Sequence, residues 1–205
     1  MCWNEEVSWA TFIIGTIFNI LVAYLIPDPI IIALAIAWEA VVIIQLFEAL
    51  GWRSNGESKI AAYGVYITTL LQPIILLLAI MIVTNASSQA KTFAVLLMIV
   101  YLGWVVYVSN TTDVGNLAPT KECSHLEFNW WSRFPLKSFP YLILAVIGLL
   151  LLVRPFNFAI FIVLLLSATF IISAVFYSCS AGSLWCWFSA CLMPIIGIYY
   201  YYNVK

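Results

Sequence analysis

Residues 30–50 read IIIALAIAWEAVVIIQLFEAL, a run without glycine or proline whose strongly polar side chains are Glu39, Gln45 and Glu48. About 20 apolar residues carry a helix across the roughly 30 Å hydrocarbon core of a bilayer. The run is continuous, whereas a membrane barrel strand alternates and spans only about ten residues. Working outward, similar runs occupy 7–26, 60–84, 92–109, 139–153, 158–178 and 183–202. The reading is an all-α polytopic membrane protein. Residues 1–205 form one transmembrane domain of seven helices, with one longer loop between helices four and five. Composition agrees: 8% of residues are charged, 65% are hydrophobic and the mean hydropathy is +1.08. A soluble domain carries about 25% charged residues.

The ends of the runs carry their own signals. Asn4 fits an N-cap, and Glu5 and Glu6 sit where the positive end of a helix dipole favours carboxylates. A cleaved signal would begin with basic residues, so the first run reads as a helix. The fifth run is short, bounded by Pro140 and Arg154, and Arg154 is able to snorkel to the interface. Trp130, Trp131 and Tyr199 to Tyr202 fit aromatic belts at the membrane surface. The net charge of −1 and the scattered Lys and Arg exclude a nucleic-acid partner.

Seven spans place the termini on opposite sides. The side of the N-terminus, side A, holds the connections at 51–59, 110–138 and 179–182. It carries five Lys and Arg against three on the other side, which the positive-inside rule reads as cytoplasmic. Cys2, Cys123, Cys179 and Cys186 gather on the same side, with Cys191 deeper, and such a set points to an oxidising compartment and disulfides. Asn85 and Asn110 head sequons on opposite sides, so at most one is open to glycosylation. The balance favours an N-terminus outside or in a lumen.

Ionisable residues inside spans are expensive and usually functional. Trp38, Gln45, Glu48 and Trp52 share one stripe of the second helix, and Glu39 points about 120° away, deeper and isolated. Thr68, Thr69 and Gln72 share a face of the third helix, where Pro73 removes a backbone hydrogen bond. Asn19, Ser167, Thr169 and Ser173 are further polar positions, and Pro194 with Gly197 suggests a kink in the last span. The functional reading is a ligand, cation or proton site at Glu48, Gln45, Gln72, Thr68, Thr69 and Glu39. The plain reading is hydrogen-bonded helix contact, at around 0.6 kcal/mol per pair.

The long side-A loop holds the one histidine, within Cys123-Ser124-His125-Leu126-Glu127. Cys2, Cys123, His125, Glu127, Cys179 and Cys186 form a side-A cluster for disulfides or, less strongly, zinc. A single Cys-x-His is not a zinc signature, and no metal or cofactor is assigned.

Several of these residues recur together. Met1-Cys2-Trp3, Gln45-x-x-Glu48 with Trp52, Gln72-Pro73, Cys123 with His125-Leu126-Glu127, and Trp185-Cys186-Trp187 stand in this order along nearly the whole chain. The set resembles an uncharacterised family of small seven-span membrane proteins associated with large DNA viruses and also with bacteria and some eukaryotes. The resemblance implies a seven-helix fold and a shared side-A site built from these residues, and no activity. Where some members carry a histidine before the Gln-Pro pair, this chain has Tyr63-Gly64-Val65-Tyr66.

Other seven-helix classes fail on their residues. The last run has no lysine for a retinal Schiff base, and neither receptor box, acidic-Arg-Tyr nor Asn-Pro-x-x-Tyr, is present. One histidine cannot supply a zinc hydrolase. Pro73 and Pro194 hold corresponding places in a three-plus-three repeat of the carrier type, with no sequence repeat beneath them. Two function classes follow. One binds or passes a small ligand, ion or proton. The other is a structural component of a viral particle or assembly membrane, in a host or virion internal membrane. The bilayer is the common partner, with a small ligand or ion, a second copy or a viral structural protein as further partner classes. An enzyme ranks third, because no nucleophile–base pair is visible.

Overall fold

The computed structural model describes residues 4–111, 114, 117, 126, 139–176 and 181–205. Eight helices account for nearly all of them: α1 (Glu5–Leu25), α2 (Pro29–Arg53), α3 (Lys59–Val83), α4 (Ser88–Thr111), α5 (Phe139–Leu152), α6 (Phe156–Phe176), α7 (Ala181–Ala190) and α8 (Met193–Asn203). Five of them, α1 to α4 and α6, are long and apolar enough to cross a membrane. The protein is therefore a helical membrane protein by length and composition. The expected seventh span differs from a straight helix. The run expected to form it consists of two helices, α7 and α8, bent by 45° at a short break. Pro194 has no N–H to offer the carbonyl four residues back, so the helix opens there. α5 has 14 residues, which at 1.5 Å per residue covers only about 21 Å.

Local chemistry sets the helix ends. The Asn4 side chain accepts from Val7 N at 2.8 Å, as its position predicts. Asp28 caps α2 by accepting from Ile30 N at 2.9 Å, with Pro29 at the first helical position. Between α2 and α3 the chain reverses through Asn55 (φ 52°) and Gly56 (φ 83°), left-handed backbone that asparagine and glycine tolerate. Gly56 N then reaches back to Gly51 O at 2.8 Å.

α2 is the centre of the bundle, packed against α1, α3, α7 and α8, while α5 joins α3, α4 and α6. Its core face is rich in alanine, with Ala33, Ala35, Ala37, Ala40 and Ala49 buried. α1 meets it with another small and polar stripe, Ser8, Thr11, Gly15 and Asn19. Its large aliphatic side chains, Ile13, Ile14, Ile17, Ile20 and Leu21, point outward. That polarity would be inverted for water, but it suits lipid, where small residues allow close helix contact. At Gly15 a Cβ would stand 2.9 Å from Val42 Cγ2 and 3.1 Å from Ala190 O, so the closest point of α1 lies against the α7–α8 break. Trp38 Nε1 of α2 donates to Ser189 O at the same break, at 2.7 Å. Within α3, Pro73 withholds an N–H from Thr69 O, and Tyr101 Oη of α4 donates to the next carbonyl, Leu70 O, at 3.0 Å.

Candidate functional site

α2 carries its two carboxylates on different sides. Glu48 is fully buried, and Gln45 Nε2, one turn earlier, donates to its Oε2 at 2.8 Å. The pairing follows from the three-residue spacing on one stripe. Beside it the connection after α4 lays Leu117 and Leu126, both fully buried, over the α2 end at Gly51. These two side chains cover the Glu48 end of the helix.

Gln72 joins α2, α3 and α5. Its Nε2 donates to Ala40 O at 3.4 Å and its Oε1 accepts from Tyr141 Oη at 2.6 Å. The Cys186 thiol of α7 lies beside Gln72, on the Glu48 side of α2. A polar line thus runs from Gln45 and Glu48 through Cys186 to Gln72 and Tyr141. Thr68 and Thr69, on the same face of α3 as Gln72, turn their hydroxyls to their own helix: Thr68 Oγ1 to Gly64 O and Thr69 Oγ1 to Val65 O, each at 2.6 Å.

Gln72 and Tyr141 stand at the wall of a cavity of about 250 Å³ enclosed by α2, α3, α5, α6 and α7. Tyr141, Phe170 and Trp185 form an edge-to-face aromatic corner, with ring centroids 5.6 Å and 5.3 Å from Trp185. Trp185 is oriented by its Nε1, which donates to Thr169 Oγ1 at 3.1 Å. Leu142 and Val146 of α5 and Leu166 and Ile171 of α6 line the opposite side, and Ile171 is 58% exposed. The cavity therefore reaches the outer surface of the bundle between α5 and α6. Ser189 also lines it, and its buried Oγ has no partner among the described residues. Glu48 is not among the lining residues.

Glu39 is not isolated. Thr16 Oγ1 donates to its Oε1 at 2.8 Å and Asn19 Nδ2 to its Oε2 at 2.7 Å, both from α1. Of the side-A cluster, Cys186 is a free, buried thiol; Cys191, outside the cluster, is free and half-buried. Cys2, Cys123, His125, Glu127 and Cys179 lie outside the described residues. Among the described residues no disulfide forms, and no group of three His, Cys, Asp or Glu is placed to hold a metal ion.

Sequence reasoning missed Tyr141, Ser189 and Thr16. Tyr141 stood as one aromatic at the head of an apolar run, and Ser189 as one small residue before a proline. Their roles come from helices distant in sequence, which one helix's periodicity does not reveal. Comparison with protein-family models, curated proteins and solved structures gives no match to this chain.

Proposed function

We propose that this membrane protein binds a small, largely apolar molecule with one hydrogen-bonding end, taken from the bilayer into the cavity between α5 and α6. The observation that carries the reading is the pairing of that cavity with Ser189 Oγ, a buried hydroxyl at its wall without a partner among the described residues. Buried polar groups are normally satisfied, so a hydroxyl without a partner on a residue of the cavity wall supports a ligand's polar atom beside it. Elsewhere the walls are aromatic and aliphatic, which suits the apolar body. Apolar cavities of about 150 Å³ already hold benzene, and this one is about 250 Å³. Gln72 and Tyr141 mark a second polar corner, continuous through Cys186 with Glu48. In this reading the ligand is held beside Gln72, and Glu48 backs the site rather than lining it.

The same reading counts seven spans. α7 and α8 together make one, and α5 makes another, with Arg154 reaching the interface and the bilayer thinned locally around it.

The test uses octanol carrying a diazirine, photolysed with the protein in liposomes and mapped by mass spectrometry. Adducts are expected to concentrate on cavity-lining residues of α5, α6 and α7. Ala145→Phe, which fills the cavity from α5, is expected to remove that excess. Adducts spread evenly over the lipid-facing residues, unchanged by Ala145→Phe, would sink the proposal and favour a structural membrane component.

A further inference from the structure

Glu39 lies outside the cavity and has an environment of its own. It is the eleventh of 25 residues in α2, about 15 Å along the helix from its start and so near the middle of the membrane. It also sits on the outer stripe of the helix. Ile32 and Ile36 are 38% and 57% exposed, and Glu39 and Ile43 continue that stripe as half-buried residues. An ionised carboxylate at such a depth is costly. The two donors from α1 offset part of that, and α1 supplies no cation there.

The donor set has a further property. Asn19 is buried, and while its Nδ2 donates to Glu39, its Oδ1 has no donor among the described residues. A side-chain amide turned by half a revolution exchanges the two atoms. In one orientation Asn19 donates to the carboxylate. In the other its Oδ1 accepts from the neutral acid, so the proton carried by Glu39 fills the vacant acceptor. Thr16 Oγ1 donates to the second oxygen in either state. The Glu39 carboxyl thus finds a partner on each oxygen in both the charged and the neutral form.

We propose that Glu39, with Thr16 and Asn19, is a proton-binding site on the bilayer-facing side of the α1–α2 pair, distinct from the cavity. No covalent chemistry is involved: Glu39 gains or loses one proton, and Asn19 reorients to match. Other titratable groups on the packed elements stand apart from it. On α1 they are Glu5, Glu6 and Tyr24 near its ends; on α2 Glu48 faces α7 while Arg53 ends the helix; and on α3 Lys59, Tyr63 and Tyr66 belong to the start of the helix, which follows the far end of α2. From α7 and α8 come Cys186, on the Glu48 side, Cys191 at the break, and the tyrosines of the last turns.

A hydrophobic carbodiimide tests the site, because it dissolves in the bilayer and reacts only with a neutral carboxyl. The acid proton moves to a carbodiimide nitrogen while the carboxyl oxygen bonds to the central carbon, a net addition without a leaving group. The whole chain in liposomes is treated with dicyclohexylcarbodiimide across mildly acidic to alkaline buffers, and adducts are located by fragmentation. The adduct is expected at Glu39, not at Glu48, absent in Glu39→Gln, and falling as the pH is raised. Absence of labelling at Glu39, labelling that does not vary with pH, or labelling abolished by added sodium would each overturn the assignment. Because octanol labelling of the cavity does not depend on Glu39, the two proposals fail separately.

Discussion

The hydrogen bond between Tyr141 and Gln72 is the junction of three helices, and its contribution can be worked out. Tyr141→Phe removes an O–H that donates at 2.6 Å to a side chain only 4% exposed. A buried acceptor deprived of its donor costs about 1–3 kcal/mol. Hydrogen bonds between membrane helices average around 0.6 kcal/mol in double-mutant cycles, with a maximum near 1.7, because the unfolded chain in the membrane also finds partners. The short distance and the burial of both residues place this pair in the upper half, at about 1–1.7 kcal/mol. Gln72→Leu also loses the contact to Ala40 O, but at 3.4 Å that is weak, so it should cost little more. The prediction is a coupling energy of about 1 kcal/mol between Tyr141→Phe and Gln72→Leu, roughly a fivefold change in the folding equilibrium. The assay is reversible unfolding in mixed micelles titrated with sodium dodecyl sulfate, applied to the wild type, both single variants and the double variant. Strictly additive variants, with a coupling under about 0.3 kcal/mol, would refute the view that this bond joins α3 to α5.

Three further outcomes are expected. Gly15→Leu forces a side chain against Val42 and the Ala190 carbonyl, and should destabilise the bundle by about 1–3 kcal/mol in the same titration. Trp38→Phe keeps an aromatic ring, though a smaller one, and leaves Ser189 O with only the Leu192 N–H at 3.1 Å. It should cost about 1 kcal/mol and speed hydrogen exchange of the amides flanking the α7–α8 break. In folded protein, maleimide should modify the half-buried Cys191 much faster than the buried Cys186, and denaturation should equalise the two. Equal rates before denaturation would contradict the packing of α7.

Much of the bundle was legible in the sequence, because lipid demands long apolar helices and proline marks their breaks. The Asn4 cap, the Gln45–Glu48 pair and the bend at Pro194 follow from spacing within one helix. What spacing could not supply is which helix faces which. Glu39 looked isolated because its partners, Thr16 and Asn19, lie 23 and 20 residues earlier on another helix. Thr68 and Thr69 looked like donors to a pocket, but each has a closer acceptor on its own backbone. The cavity is assembled from five helices, and a fill of separate apolar runs does not reveal the gap they leave. For the side-A cluster, the structure speaks only to Cys186 and leaves the other members outside the described residues.

The order of residues in the α1–α2 hairpin bears on how the chain enters its membrane. Synthesis runs from the N-terminus, so Thr16 and Asn19 reach the bilayer about twenty residues before Glu39 does. Only Ile26, Pro27 and Asp28 separate the two helices, and Asp28 already fixes the start of the second. The carboxylate therefore arrives beside hydroxyl and amide groups already in place, on a helix forced to fold back along the first. The entry of that carboxylate is met by partners delivered ahead of it, which favours the hairpin over the single helix as the unit of insertion.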